Sequence, residues 1–256
     1  MLVKQPQYLS ANWSAPANIR TIITTSIDEF NLALHVNDDP EQVIQNRDLL
    51  AKILPSNPLW LNQTHTTTVI NWDNENSYQI FEADASITTK TNAVCVVMTA
   101  DCLPILLTNK SGSFVAAIHA GWRGLNNGII QNTIQKLNNI NTNEILAFIG
   151  PAINQECFEV GAEVYQEFTT SNSQNSQFFT ASKNANKFMA NLRKIAELIL
   201  INCNIKPENI SNSNICTKCN HKWFFSYREN NKTGRFATII WKEGEYIALH
   251  IEYSRR

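Results

Sequence analysis

The chain has 256 residues, 43% of them hydrophobic, and its 21 basic and 22 acidic side chains give a formal net charge of -1 at pH 7. That balance excludes a global attraction to nucleic acid or to an anionic membrane surface, and leaves a small ligand or a local basic pocket as the better fit. The N-terminal MLVKQPQYLSANWSAPANIR has no continuous apolar stretch behind its lysine, and no later run reaches the ~20 apolar residues of a membrane span, so a cytoplasmic protein is expected.

Along the chain, QNRDLL places Arg47 in an early helix, and WLNQTHTTTVI (60–70) reads as a β-rich stretch that carries His65. AVCVVMT (93–99) and PILLT (104–108) are strands split by ADCL, and FVAAIHA (114–120) is a third strand behind the turn NKSGS. After Gly124, the positions Leu125, Ile129, Ile130, Thr133, Ile134 and Leu137 keep helical spacing before ILAFIG (145–150) returns to strand, a βαβ-like unit. Phe188, Leu192, Ile195, Ala196, Ile199 and Leu200 predict one helical stripe packed in the core. FFSY (224–227) and FATIIWK (236–242), joined by RENNKTGR, read as a β-hairpin. With no repeat, linker or composition break, residues 1–256 are expected to form a single α/β domain.

Six cysteines, at positions 95, 102, 157, 203, 216 and 219, are few for this length and are expected to be reduced thiols, buried or ligating. Cys102 follows Asp101 at a strand break and precedes Leu-Pro, a backbone irregularity that can aim a thiol. Taken singly, Cys102 reads as a small buried hydrophobe and His119 as a satisfied core histidine. Together they gain weight, because strand ends joined by a short connection bring such residues side by side. With His65 they form a His, Cys, His set that suits zinc and leaves a fourth position open, although ligands this far apart obey no spacing rule.

Cys216-x-x-Cys219-x-His221 looks more like a local zinc signal, but it lacks a second pair of ligands. No separate zinc knuckle is expected there, and Cys216 alone is given a helper role. Arg47, Arg123, Arg228 and Arg235 stand among small or turn residues; each reads singly as a solvated charge, and together they could grip an anion such as phosphate. True laccase chemistry is not expected, since a blue-copper site plus a trinuclear cluster consumes more imidazoles than His35, His65, His119, His221 and His250 supply.

TADCLP and HAGWRG, with FNLALHVNDDPEQVIQNRDLL, WLNQTH, ADASITT, IGPAINQECFEVG, ICT and FFSYRENNKTGRFATIIW, resemble the YfiH or laccase-domain family, also named purine nucleoside phosphorylase and, in bacteria, peptidoglycan editing factor. The resemblance runs from about residue 30 to 242. It implies a four-layer α/β/β/α fold related to a cysteine-dependent deamidase. It also implies metal ligands at His65, Cys102 and His119 holding zinc; adventitious copper could occupy the same donors, since copper outcompetes zinc at most such sites. The implied reaction is phosphorolysis of adenosine, inosine, guanosine and methylthioadenosine to base and sugar 1-phosphate, with adenosine deamination as a second activity. Purine nucleosides and phosphate are then the partners, with no nucleic acid and no membrane. On that basis Asp101 is a candidate proton shuttle beside Cys102 and His119, and Arg47, with Arg123, Arg228 and Arg235, a candidate phosphate holder. The rival expectation is a metal-free thiol hydrolase with Cys102 as nucleophile and His119 as base. Thr64-His65-Thr66 replaces the family's Val-His-Gly, Glu229 a second Arg, and Asn191 an Asp.

Overall fold

The computed structural model describes residues 7–36, 38–75, 79–137 and 140–244. Strand Val94–Thr99 is buried along its whole length. Successive side chains of a strand point to opposite faces, so it must be covered on both. Cys95 and Val97 enter one hydrophobic cluster, while Val94, Val96 and Met98 enter another. The strand belongs to a four-stranded antiparallel sheet ordered Tyr8–Leu9, Ile19–Thr24, Phe236–Lys242, Val94–Thr99.

The second sheet has six strands, in the order Ile210–Asn212, Ile145–Ile149, Leu103–Asn109, Val115–Ala120, Ala85–Thr88, Val69–Asn71. Its outermost pairs are parallel and the rest antiparallel. Leu106, Val115, Ala117 and Phe148 face Cys95, Val97, Phe236 and Ile240 of the first sheet. On the opposite face, Leu103, Ile105, Leu107, Ala116 and Ile118 lie under helices Ile129–Lys136 and Leu192–Asn202. Helix Pro40–Ala51 contributes Leu50 to the cluster on the outer face of the four-stranded sheet, beside Ile22, Val96 and Ile239. Each such aliphatic side chain, fully buried, contributes about 1.5–3 kcal/mol.

The strands expected at 93–99, 104–108, 114–120 and 145–150 are present, yet the first two lie in different sheets. The chain leaves one sheet at Thr99 and enters the other at Leu103, so Ala100, Asp101 and Cys102 form the crossing. Val115–Ala120 and Ile145–Ile149 flank Leu103–Asn109 antiparallel on either side. They therefore run parallel to each other, and the βαβ unit exists in split form.

Three expectations change. The helix after Gly124 is two helices, Trp122–Asn127 and Ile129–Lys136, broken at Gly128, whose φ of 101° only glycine adopts readily. Phe188 is not helical; it sits in strand Lys187–Ala190, and the helix starts at Leu192, where the Asn191 side chain accepts the Lys194 N–H at 3.1 Å. The hairpin is absent. FFSY is irregular because Phe224 buries itself edge-on to Phe236, 5.1 Å between ring centres, while the Arg228 N–H bonds Asp101 instead of a partner strand. Phe236–Lys242 pairs instead with Ile19–Thr24 and Val94–Thr99. No helix among the described residues is long and apolar enough to cross a membrane.

Candidate metal centre

His119 belongs by strand parity to the face of Val115 and Ala117, between the two sheets. Register pairs Pro104 with His119 and Leu103 with Ala120, so Cys102, one residue before, arrives beside the histidine. His65 comes from a loop on the far side, at φ 61°. One ligand atom from each of His65, Cys102 and His119 lies within 4.8 Å of the other two. The imidazoles meet edge to face, 4.8 Å between centres.

Gly121 makes this convergence possible. A Cβ there would lie 2.2 Å from His65 Nδ1 and 3.2 Å from Cys102 Sγ, so any side chain would displace both groups. At Asp101 the backbone is held at φ 90°, a conformation that costs a non-glycine residue of order 1–3 kcal/mol. Three bonds offset that strain: the Thr217 hydroxyl donates to Oδ1 at 2.6 Å, the Arg228 N–H to Oδ2 at 2.7 Å, and the Ile153 N–H to the Asp101 carbonyl at 3.0 Å.

Sequence reasoning passed over Asp84, which organises the centre while itself fully buried. Its Oδ1 accepts His119 Nδ1 at 2.6 Å and the His65 N–H at 3.1 Å. Its Oδ2 accepts the Thr66 N–H at 2.6 Å and the Thr66 hydroxyl at 2.7 Å. Thr66 thus adds a hydroxyl bond to the carboxylate that a glycine at this position would lack. Asp84 stands in the sequence only as an acid inside the family-matching stretch ADASITT, just ahead of strand Ala85–Thr88.

Burial opposes charge on the Asp84 carboxylate, but the bonds from His119 and Thr66 outweigh it and hold its pKa below the ordinary value. Burial likewise opposes charge on His119; Cys102 and then Asp84 outweigh it and raise the pKa to about 9. For His65, burial and then the His119 charge lower the pKa against the opposing pull of Asp84. With Nδ1 given to Asp84, His119 turns its other nitrogen toward Cys102, and a metal bound there would displace the Nε2 proton. Two imidazoles and a thiol with an open side are a zinc-type donor set. Asp84→Asn is expected to weaken zinc retention by about 10–100-fold, read by chelator competition. Unchanged retention would show that the imidazoles hold their orientation without the carboxylate.

The centre opens into a cavity of about 610 Å³. Asp101, Arg123, Arg228 and Arg235 line it, as does His35, which the sequence did not mark. Arg235 donates to the Thr233 and Gly234 carbonyls, both at 2.9 Å, and Arg228 to the Glu159 carbonyl at 2.9 Å. Arg123 stacks on Trp122 at 4.3 Å. Arg47 is not among the lining residues. Its Nε donates to the Leu32 carbonyl at 2.8 Å, and its guanidinium lies 3.9 Å over the Trp60 ring, behind Met98. Glu229 stands outside, 3.9 Å from Lys218. His221 is exposed with its ring against the Lys218 carbonyl, and His250 lies outside the described residues.

A second cluster joins Cys157 to the Cys216-x-x-Cys219 pair, each thiol within 4.8 Å of the others. Cys157 supplies the long-range partner that the local motif lacked.

Residues 20–243 match the family described as multi-copper polyphenol oxidoreductase laccase. A purine nucleoside phosphorylase of Haemophilus influenzae is 41% identical over 248 residues, 93% of this chain and 100% of the relative. The purine nucleoside phosphorylase YfiH of Escherichia coli is 38% identical over 239 residues, 90% of this chain and 96% of the relative. The crystal structure of a Neisseria meningitidis protein of the DUF152 family superposes with a TM-score of 0.86 at 39% identity, covering 93% of this chain and 99% of that one.

Proposed function

Because this chain belongs to the laccase-like family, whose relatives include proteins named purine nucleoside phosphorylase, we propose that it cleaves purine nucleosides with phosphate at the His65, Cys102, His119 centre. The observation that carries this reading is a zinc-type donor set on the wall of a cavity that also holds three arginines. A volume of about 610 Å³ falls in the range of small-molecule sites and accommodates a nucleoside beside a phosphate. His65, Cys102 and His119 would hold zinc, with copper as the competing occupant, and the metal would supply a Lewis acid that also acidifies water. The substrates in this reading are adenosine, inosine, guanosine and methylthioadenosine, with adenosine deamination as a second activity. We take residues 1–256 as one catalytic domain, and the order of the three hydrophobic clusters supports a four-layer α/β/β/α arrangement.

Phosphorolysis breaks the glycosidic C–N bond and forms a C–O bond to phosphate, while the departing base takes up a proton. Positive charge builds on the sugar as the phosphate approaches. The chain's part is to fix phosphate against that carbon. Arg235 is suited to this, since Cys102 and Asp101 counter the lowering of its pKa by burial and two carbonyls fix its fork at the cavity wall. Arg123 and Arg228 complete the cationic side. Asp101 spends both carboxylate oxygens on Thr217 and Arg228, so we assign it to holding the kink that aims Cys102 rather than to moving a proton.

Arg47 and Arg235 separate by their phosphate dependence. Arg235→Ala is expected to raise the phosphate KM or lower turnover by about 2–3 powers of ten. Arg47→Ala is expected to lower thermal stability while leaving the phosphate dependence unchanged, because its bonds run to Leu32 and Trp60. A raised phosphate KM in a normally folded Arg47→Ala protein would return phosphate binding to Arg47.

The function itself is tested by anaerobic purification, metal analysis and chromatography of the four nucleosides with and without phosphate. Free base and sugar 1-phosphate should form only with phosphate; a zinc-loaded protein that turns over none of the four overturns the reading. One observation favours a second reading: Asp84, His119 and Cys102 form a carboxylate–imidazole–thiol series, the arrangement of a thiol hydrolase that could act on amides in peptidoglycan precursors. Stoichiometric zinc that protects Cys102 from alkylation argues against it.

A further inference from the structure

We propose that Cys157, Cys216 and Cys219 form a second zinc site, a three-thiolate cluster outside the nucleoside cavity. Two segments 62 residues apart bring Cys157 Sγ to 3.4 Å from Cys219 Sγ, and all three sulfurs lie within 4.8 Å of one another. Zinc–sulfur bonds of about 2.3 Å in a tetrahedron put sulfurs about 3.8 Å apart, so small rotations of these side chains complete three coordination positions. A covalent disulfide would need the Cys157–Cys219 sulfurs at about 2.05 Å, and would leave Cys216 unused.

The surroundings of Cys216 match those of a metal-bound sulfur. Its Sγ accepts two backbone N–H groups, from Asn154 at 3.4 Å and from Cys219 at 3.5 Å. The Asn220 N–H and its side-chain amide both bond the Cys216 carbonyl, at 3.0 and 2.8 Å, which locks the turn that presents Cys219. Such outer bonds orient ligands and stabilise negative sulfur. Three thiolates around one divalent cation carry a net negative charge, and the buried Arg193 guanidinium lies near enough to Cys216 to interact electrostatically. Arg193's hydrogen bonds run only to carbonyl and amide oxygens, and its charge is shared between Cys216 and Glu197. Cys219 is exposed, which leaves the fourth position to water.

The site would brace the cavity from behind. Cys157 precedes the Phe158–Gly161 wall, where Arg228 bonds the Glu159 carbonyl, and Cys216 precedes Thr217, which holds Asp101. A metal joining 157 to 216 and 219 would tie both walls together without touching substrate.

Zinc per chain, measured on the full-length protein purified anaerobically under reducing conditions, tests the proposal. Wild type should hold about two zinc ions, His119→Ala about one, and Cys157→Ser/Cys219→Ser about one, while Cys203→Ser keeps both. Alkylation provides a check that needs no variant: in chelator-stripped wild type, added Zn²⁺ should protect Cys157 and Cys219 from iodoacetamide, read by peptide mass. Complete loss of zinc in His119→Ala, unchanged zinc in Cys157→Ser/Cys219→Ser, labelling of Cys157 and Cys219 indifferent to Zn²⁺, or a Cys157–Cys219 disulfide in the reduced preparation would each overturn it.

Discussion

On the reading proposed above, His119→Ala is expected to abolish the proposed adenosine deamination, to lower phosphorolysis by at least about 2–4 powers of ten, and to remove the metal that His65 and Cys102 would hold. Three properties meet in this one side chain. It turns one ring nitrogen to the centre, it shares a short bond with the buried Asp84 carboxylate, and it stands beside Cys102 on the cavity wall. Truncation removes one of three donors and leaves Asp84 buried with fewer partners, so part of the loss will appear as instability. Measuring turnover in protein shown to be folded by its thermal transition separates the two. Cys102→His then divides the rival chemistries, because an imidazole can still bind metal but cannot act as a thiolate nucleophile. Residual phosphorolysis in zinc-loaded Cys102→His supports the metal centre, whereas activity that disappears with zinc still bound favours the thiol.

Arg193→Ala is expected to cost about 3–5 kcal/mol, since it leaves five neutral oxygens without their donor at about 1–3 kcal/mol for each that stays dry, and to lower the thermal transition by about 10 °C. The guanidinium is buried and spans two segments. It donates to the Gly150 and Ala152 carbonyls at 2.8 Å and to Asn212 at 2.9 Å, and also to Asn154 and Ile215. No other side chain could reach all five oxygens in this arrangement. Arg193→Lys keeps the charge but only part of the fork, and should recover less than half of the loss. The consequence reaches the site, since the Ile153 N–H bonds the Asp101 carbonyl from the same clamped loop. A shift of only a few degrees in Arg193→Ala would mean that water satisfies these carbonyls.

Much of the layout was legible in the sequence because it is local. Strands such as AVCVVMT and FVAAIHA announce themselves by short apolar, β-branched runs, and a side chain's face follows from parity. The conjunction of Asp101–Cys102 with His119 followed from strand ends and a short connection, His65 in a β-rich stretch joined it as a third candidate, and the motif match implied all three as ligands. Where apolar character served packing rather than regular pairing, the sequence misled. FFSY looked like a strand because Phe224 is a core residue, and Phe188 looked helical because its strand ends just before a helix begins.

Composition, strand periodicity and the TADCLP and HAGWRG motifs by themselves determined the α/β class, the central strands and the three candidate ligands. Only the tertiary structure decided which residues serve them. Asp84 reaches His119 from 35 positions away, Thr217 reaches Asp101 from 116, and Cys157 reaches Cys219 from 62. The physical reason is that hydrophobic periodicity records whether a side chain is buried, whereas a buried polar group is set by the partner that satisfies it, and that partner is chosen by how the two sheets and their crossings pack. The same packing carries Arg47 onto Trp60 and Leu32 and turns Arg235 toward the cavity, a distinction between two arginines that no local pattern contains.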